Sequence, residues 1–133
     1  MSTFPRPVRT AIVLRDEGRC VGCGRAVAVV LDDRYHQVAP FSIHHRVLKG
    51  MGGRSTDNRA VNGLTLCGSG TTGCHGRTHH SRDWAASRGY IVAADESPET
   101  VPVVVAVAPG QDAVVGLDDD RRFALYPTPG GNR

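Results

Sequence analysis

The sequence predicts a small α+β domain organised around metal ions, and three observations point there. The chain has 133 residues, room for one compact domain at roughly 100 to 200 residues per domain. Its apolar runs are short, some with strand character and two with helical spacing, so no single element supplies a large core. All four cysteines and all six histidines fall between Cys20 and His80, which concentrates the chemistry, and a staple for the short elements, in one stretch. With 40% hydrophobic and 22% charged residues and no low-complexity run, the composition is that of a soluble globular chain rather than a disordered one.

Val8 to Glu17 (VRTAIVLRDE) places Val8 and Ile12 at helical spacing, and Gly18 follows where a helix C-terminus favours glycine. Cys20 to Gly24 (CVGCG) reads as a turn, with a glycine after each cysteine so that backbone N–H groups can face the sulfurs. Ala26 to Leu31 (AVAVVL) is rich in β-branched residues and predicts a strand; Phe41 to Val47 (FSIHHRV), entered through Pro40, predicts a second. Leu48 to Asp57 holds three glycines with Lys49 and Arg54 and reads as a basic loop. Leu64 to Cys67 is a brief apolar stretch leading into the insert GSGTTG, and His75 to Arg88 predicts one helix stopped by Gly89, although Gly76 weakens its first turn. Beyond Ala93, Val101 to Val107 and Phe123 to Tyr126 read as strands, with turns at Pro109-Gly110 and Asp118 to Asp120. No internal repeat is visible.

The formal net charge of +3 is an average of two unlike halves. Residues 1–93 carry 13 Lys/Arg against 6 Asp/Glu, hence +7, while residues 94–133 carry 3 against 7, hence −4. The expected organisation is a basic body at 1–93 with an acidic, β-rich extension at 94–133 packed on it and facing away from any polyanion. On that division a chain cut near Ala94, provided it folds, binds DNA more tightly at low salt. Asp118 to Asp120 lacks the spacing and closing glutamate of a calcium loop and reads as a solvated turn. The longest apolar run near the N-terminus, Ala11 to Leu14, is too short for a signal-peptide core, and no stretch is long enough to cross a bilayer. The expectation is a cytoplasmic protein, where four cysteines more often bind a metal than form disulfides.

Cys20-x2-Cys23 and Cys67-x6-Cys74 form two thiolate pairs, distant in sequence, of the kind that closes a tetrahedral structural zinc site. The alternative, four thiols buried as small hydrophobes, fits poorly with glycines at 22, 24, 68, 70 and 73. Among the histidines, His75 and His79 stand at i and i+4 and can grip one ion from one helix face. Neighbours on a strand point to opposite faces, so His44 and His45 should have different jobs, one a ligand and one a base. Asn62 stands between these groups. His36 and His80 do not fit the metal spacing, and Trp84 reads as a core anchor.

The order Cys20-x2-Cys23, IHHRV at Ile43 to Val47, NGLTLC at Asn62 to Cys67 and CHGRTH at Cys74 to His79 resembles the HNH endonucleases. The resemblance covers about Cys20 to Arg88. It implies a ββα-metal, treble-clef-like core, to which the cysteine spacing adds a structural four-cysteine zinc site and the strands beyond Ala93 a C-terminal β-hairpin extension that packs on the body or docks a partner. It assigns His45 as general base, His44 and His75 as ligands of one catalytic divalent cation, and His79 as the additional helical ligand of the colicin-like branch. Asn62 takes the N position, holding the metal loop and orienting the base; Asn58 is a rival with poorer spacing to Cys67. The chain departs from the family at GSGTTG, longer than the usual two-residue spacer. The stretches Glu96 to Val103 and Leu117 to Asp120 further resemble small bacteriophage HNH proteins, which implies a place beside terminase and other DNA-packaging proteins.

What the resemblance implies is metal-assisted hydrolysis of DNA phosphodiester bonds with little sequence specificity, leaving 5′-phosphate and 3′-hydroxyl ends. The catalytic ion is open among Mg2+, Mn2+, Ni2+ and Zn2+. Arg46, Lys49, Arg54 and Arg77 flank the motifs and are the candidate phosphate contacts. The reading from another class is a non-catalytic zinc module that binds DNA or protein, which accounts for the cysteines and the basic charge but leaves the histidine cluster and Asn62 without a role.

Overall fold

The structure, a computed structural model, describes residues 4–47, 58–93, 95–108, 110–119 and 121–124. It is a mixed α+β fold. Helix α1 (Arg6–Arg15) starts behind Pro5, with Pro7 in its first turn where a missing N–H costs nothing, and buries Ile12 and Val13. Its last residue, Arg15, turns inward. The guanidinium forks onto the Asp16 carboxylate (Nε to Oδ1 2.9 Å, Nη2 to Oδ2 3.0 Å) and donates to the carbonyls of Ala60 and Gly63. Asp16 Oδ2 in turn accepts from the Thr65 N–H, so a buried ion pair with its hydrogen bonds filled fastens α1 to the strand that carries Cys67.

Strands β1 (Ala28–Leu31) and β2 (Arg34–Gln37) form an antiparallel hairpin. The sequence Arg34 to Gln37, RYHQ, is polar on both faces and shows no strand period, so only its pairing with β1 makes it one. Strand β3 (Phe41–His45) pairs antiparallel with β4 (Gly63–Cys67) in a register that sets His44 opposite Leu64 and His45 opposite Gly63. A 3-10 turn at Ala60–Asn62 leads into β4, which is buried along its whole length.

Helix α2 (Gly73–His80) follows β4 and packs on both β3 and β4. Its Gly76 is required: a Cβ there would lie 2.5 Å from the Thr71 carbonyl carbon, so glycine lets the first turn close against the preceding loop. The single helix expected over His75 to Arg88 is two. Ser81, at φ −124° and ψ 74°, breaks it, and α3 (Arg82–Ser87) sets off in a new direction. The break turns Ala85 into the core and brings Trp84 edge-on to Tyr90, centroids 5.4 Å apart.

The extension is also more than the expected hairpin. Strands β5 (Val103–Ala108), β6 (Gln111–Leu117) and β7 (Arg122–Ala124) make a three-stranded antiparallel sheet in that order. Strand β6 lies between two turn signals, opens on polar residues and carries Gly116, which hid it in the sequence. Pro109, Asp120 and Leu125 to Tyr126 of the expected turns and strand fall outside the described residues.

One core joins the two halves. Cys20, Val21, Val27, Leu64, Leu66 and Tyr90 cluster with Val103, Val105, Val115 and Leu117 of the extension. The Ala106 N–H donates to the Val21 carbonyl at 2.8 Å, and the Tyr90 hydroxyl lies 3.0 Å from the Val21 carbonyl and 2.7 Å from that of Val104. Acidic residues of the extension also meet the body. Glu99 pairs with Arg59 at 2.9 Å, and Asp119 accepts from the Val61 N–H at 3.0 Å, both within the segment leading to β4.

Candidate metal centres and active site

The Cys20-x2-Cys23 turn and the β4 to α2 turn bring four sulfurs together, all within 4.8 Å of one another. The Sγ atoms of Cys23 and Cys67 are 3.9 Å apart; two thiolates at 2.3 Å from one tetrahedral zinc sit about 3.8 Å apart. Backbone N–H groups of Gly22 and Cys74 point at the sulfurs of Cys20 and Cys67, at 3.3 and 3.4 Å. Proton sharing shows how crowded the four groups are. The bond from Cys74 holds Cys20 down at about 5, while burial pushes Cys23 up to about 11, and the same Cys20 contact drives Cys74 upward. Four sulfurs crowded in this way form a donor set that one divalent cation could satisfy. The cluster is compatible with a zinc ion. The GSGTTG turn, longer than the family's spacer, nonetheless delivers Cys74, with the Ser69 and Thr72 hydroxyls 3.0 Å apart inside it.

A second donor set lies where α2 meets β3. His44, His75 and His79 each offer a ring nitrogen within 4.8 Å of the others. His75 Nε2 and His79 Nε2 are 3.3 Å apart, the separation of about 3.3 Å expected for two imidazoles bound at 2.0 to 2.1 Å in tetrahedral directions. Among the described residues, Nδ1 of His75 is buried without a hydrogen-bond partner. His44, 2% exposed, places Nε2 2.7 Å from the Tyr90 carbonyl. A carbonyl only accepts, so Nε2 carries the proton and Nδ1 keeps the lone pair, with a main-chain oxygen holding the ring. Burial holds His44 down at about 3 and His75 at about 4, with neighbouring His79 adding to each. Both are neutral at pH 7, the form that binds metal.

His45 stands apart from this trio. Among the described residues no ring contact joins it to the three; it stacks on Phe4, centroids 4.0 Å apart with the rings 12° from parallel. Its Nε2 lies 2.9 Å from Oδ1 of Asn58. The residue expected to orient it, Asn62, is elsewhere: buried, with Oδ1 accepting from the Val47 N–H at 2.8 Å and its carbonyl from the Arg46 N–H at 2.8 Å. Asn62 thus ties the chain leaving β3 to the turn that leads into β4. Asn58, poorer by spacing, is the residue at His45, and a cleft of about 530 Å3 opens beside it between α1 and Asp119.

The candidate phosphate contacts divide. Arg46 is withdrawn: at 0% exposure it is closed to a phosphate, and its guanidinium donates four of its five N–H groups to the carbonyls of Gly89, Val61, Pro98 and Val101 at 2.7 to 3.1 Å. A strand pattern cannot distinguish a basic side chain that reaches solvent from one that turns inward to collect carbonyls. Arg77 is exposed on α2, its guanidinium 4.0 Å over the Trp84 ring. Trp84 is therefore half a core residue against Tyr90 and half a platform for Arg77. Lys49 and Arg54 lie outside the described residues. His36 and His80 are exposed and in neither donor set, as their spacing suggested. No helix among the described residues is long and apolar enough to cross a membrane.

Comparison with models of known families, with curated proteins and with solved structures finds nothing that matches this chain.

Proposed function

We propose that this chain is a metal-dependent HNH-type endonuclease with a ββα-metal core, hydrolysing DNA phosphodiester bonds with low sequence specificity. The observation that carries the reading is the convergence of His44, His75 and His79 on one point, from a strand and the helix that follows it, with His45 next in the strand and differently held. The succession β3, β4, α2 supports it. The four-cysteine site is read as the closed structural zinc centre that fastens the β4-to-α2 junction of this unit, Cys67 closing β4 and Cys74 lying in the first turn of α2.

Under this reading the three neutral imidazoles hold a divalent cation, which when bound supplies Lewis-acid stabilisation of charge on the phosphate and the leaving oxygen. The chain's own groups do the rest. His45, the general base, accepts a proton from the water that attacks phosphorus, and the P–O3′ bond breaks to leave 5′-phosphate and 3′-hydroxyl ends. The Tyr90 carbonyl keeps His44 in the metal-binding tautomer. The +7 charge of residues 1–93, with Arg77 exposed on α2, attracts the phosphate backbone without reading bases. A place beside a phage packaging terminase rests on resemblance alone and is tested by whether added terminase changes the cutting rate.

Plasmid nicking with Mn2+, Ni2+, Zn2+ and Mg2+ tests the reading. The expected outcome is nicking by the wild type with at least one ion, and a loss of about 10² or more in His45→Ala. Equal behaviour of the two proteins with all four ions would leave the non-catalytic zinc module as the reading that stands.

A further inference from the structure

We propose that Asn58 is the positioning residue of His45, holding its imidazole in the tautomer protonated at Nε2 so that Nδ1 is the nitrogen free to take a proton. This rests on the nuclease reading for the identity of the base; what it adds is the residue that aims it.

Two contacts determine the His45 ring, and a glycine keeps one of them in place. Along its edge, Nε2 meets Oδ1 of Asn58 at 2.9 Å. An amide oxygen only accepts, and a neutral imidazole has one N–H, so this contact decides which nitrogen keeps its lone pair. On its face, Phe4 stacks at 4.0 Å. Opposite it in the sheet stands Gly63, where an added Cβ would collide with Ile12 and crowd the Phe4 ring. Glycine at that position keeps Phe4 seated on His45, so stacking restrains the plane of the ring and Asn58 restrains rotation within that plane.

The arrangement has the logic of an activated base oriented by a third group. The side-chain oxygen of Asn62 instead receives the Val47 N–H. Asn58 precedes the 3-10 turn into β4, so the β3–β4 pairing that aligns the two strands also sets the distance between Asn58 and His45. Asn58 also lines the open cleft, so the cleft opens beside its contact with His45.

The test uses the full zinc-loaded chain at pH 8. Ring 15N shifts should show His45 protonated at Nε2 in the wild type and a mixture of tautomers in Asn58→Ala. Turnover in Asn58→Ala should fall about ten- to hundredfold with KM unchanged. Asn58→Asp, which keeps an acceptor oxygen in place, should restore both the tautomer and most of kcat. A wild-type His45 protonated at Nδ1, or a tautomer unchanged in Asn58→Ala, overturns the proposal whether or not the protein cuts DNA. A cutting wild type matched in kcat by Asn58→Ala overturns the positioning role and leaves the nuclease reading intact. A wild type that cuts nothing defeats the nuclease reading, and the positioning role with it, even where the tautomer is as expected.

Discussion

The main-chain carbonyl of Tyr90 lies 2.7 Å from Nε2 of His44, 46 residues away in sequence. The same residue's hydroxyl reaches the Val21 carbonyl beside the cysteine turn and the Val104 carbonyl of the extension. Tyr90 therefore links the histidine cluster, the cysteine cluster and the C-terminal sheet, and the consequences are measurable.

His44 makes stability depend on pH. Burial holds its folded-state value at about 3 against 6.5 for the exposed side chain. Between these values the unfolded chain binds the proton and the folded chain does not, so stability is full above about 6.5 and declines as pH falls towards 3. From pH 7 to pH 5 the wild type should lose about 2 kcal/mol more than His44→Gln, measured by urea unfolding with the histidine site kept free of metal. Taking the difference cancels the acid sensitivity of the thiolates, and equal losses would refute a buried neutral His44.

The four sulfurs should hold one zinc per chain. Metal analysis of purified protein is expected to find it, and the four thiols should resist thiol reagents until a chelator strips the ion. Removal should lower the unfolding temperature by more than 10 °C, since such sites are worth about 10 kcal/mol or more in small domains. Four thiols that react at once in the native protein would show that the cluster is not a metal site.

Arg46 should matter to the fold and not to DNA affinity. Removing its guanidinium leaves the carbonyls of Gly89, Val61, Pro98 and Val101 without their buried donor. With an unmade buried bond costing about 1 to 3 kcal/mol, Arg46→Met should lose at least about 3 kcal/mol in denaturant unfolding. Arg77→Ala, by contrast, should leave stability within about 1 kcal/mol of wild type and reduce the salt dependence of DNA binding. The reverse ranking would restore Arg46 as a phosphate contact.

A chain ending at Ala93 should not fold. It loses Val103, Val105, Val115 and Leu117 from the shared core. At about 1.5 to 3 kcal/mol for each buried side chain, the loss of about 6 to 12 kcal/mol matches the whole stability of a typical domain. Circular dichroism of the zinc-loaded fragment checks this, and a cooperative thermal transition in the fragment would show that the body is independent.

The chemistry-bearing residues were legible before any fold. Cysteine and histidine spacing selects ligands because a metal demands particular atoms at a short reach, and those constraints are written in local sequence: a two-residue turn between Cys20 and Cys23, one helical turn between His75 and His79. The strands of β1, β3 and β5 and the helix α1 were legible for a related reason, since β-branched runs and helical spacing are properties of neighbouring residues. Whether a polar segment such as β2 pairs, whether a helix continues past Ser81, and whether Arg46 faces water or four carbonyls depend on residues 3 to 55 positions away. The identity of the residue at His45 depended on the same thing. Spacing favoured Asn62, and the β3–β4 register delivered Asn58. Sequence by itself singled out the cysteine and histidine sets by residue type and spacing; only the tertiary structure decided which of them meet, because a contact is settled by packing and register across the chain rather than by distance along it.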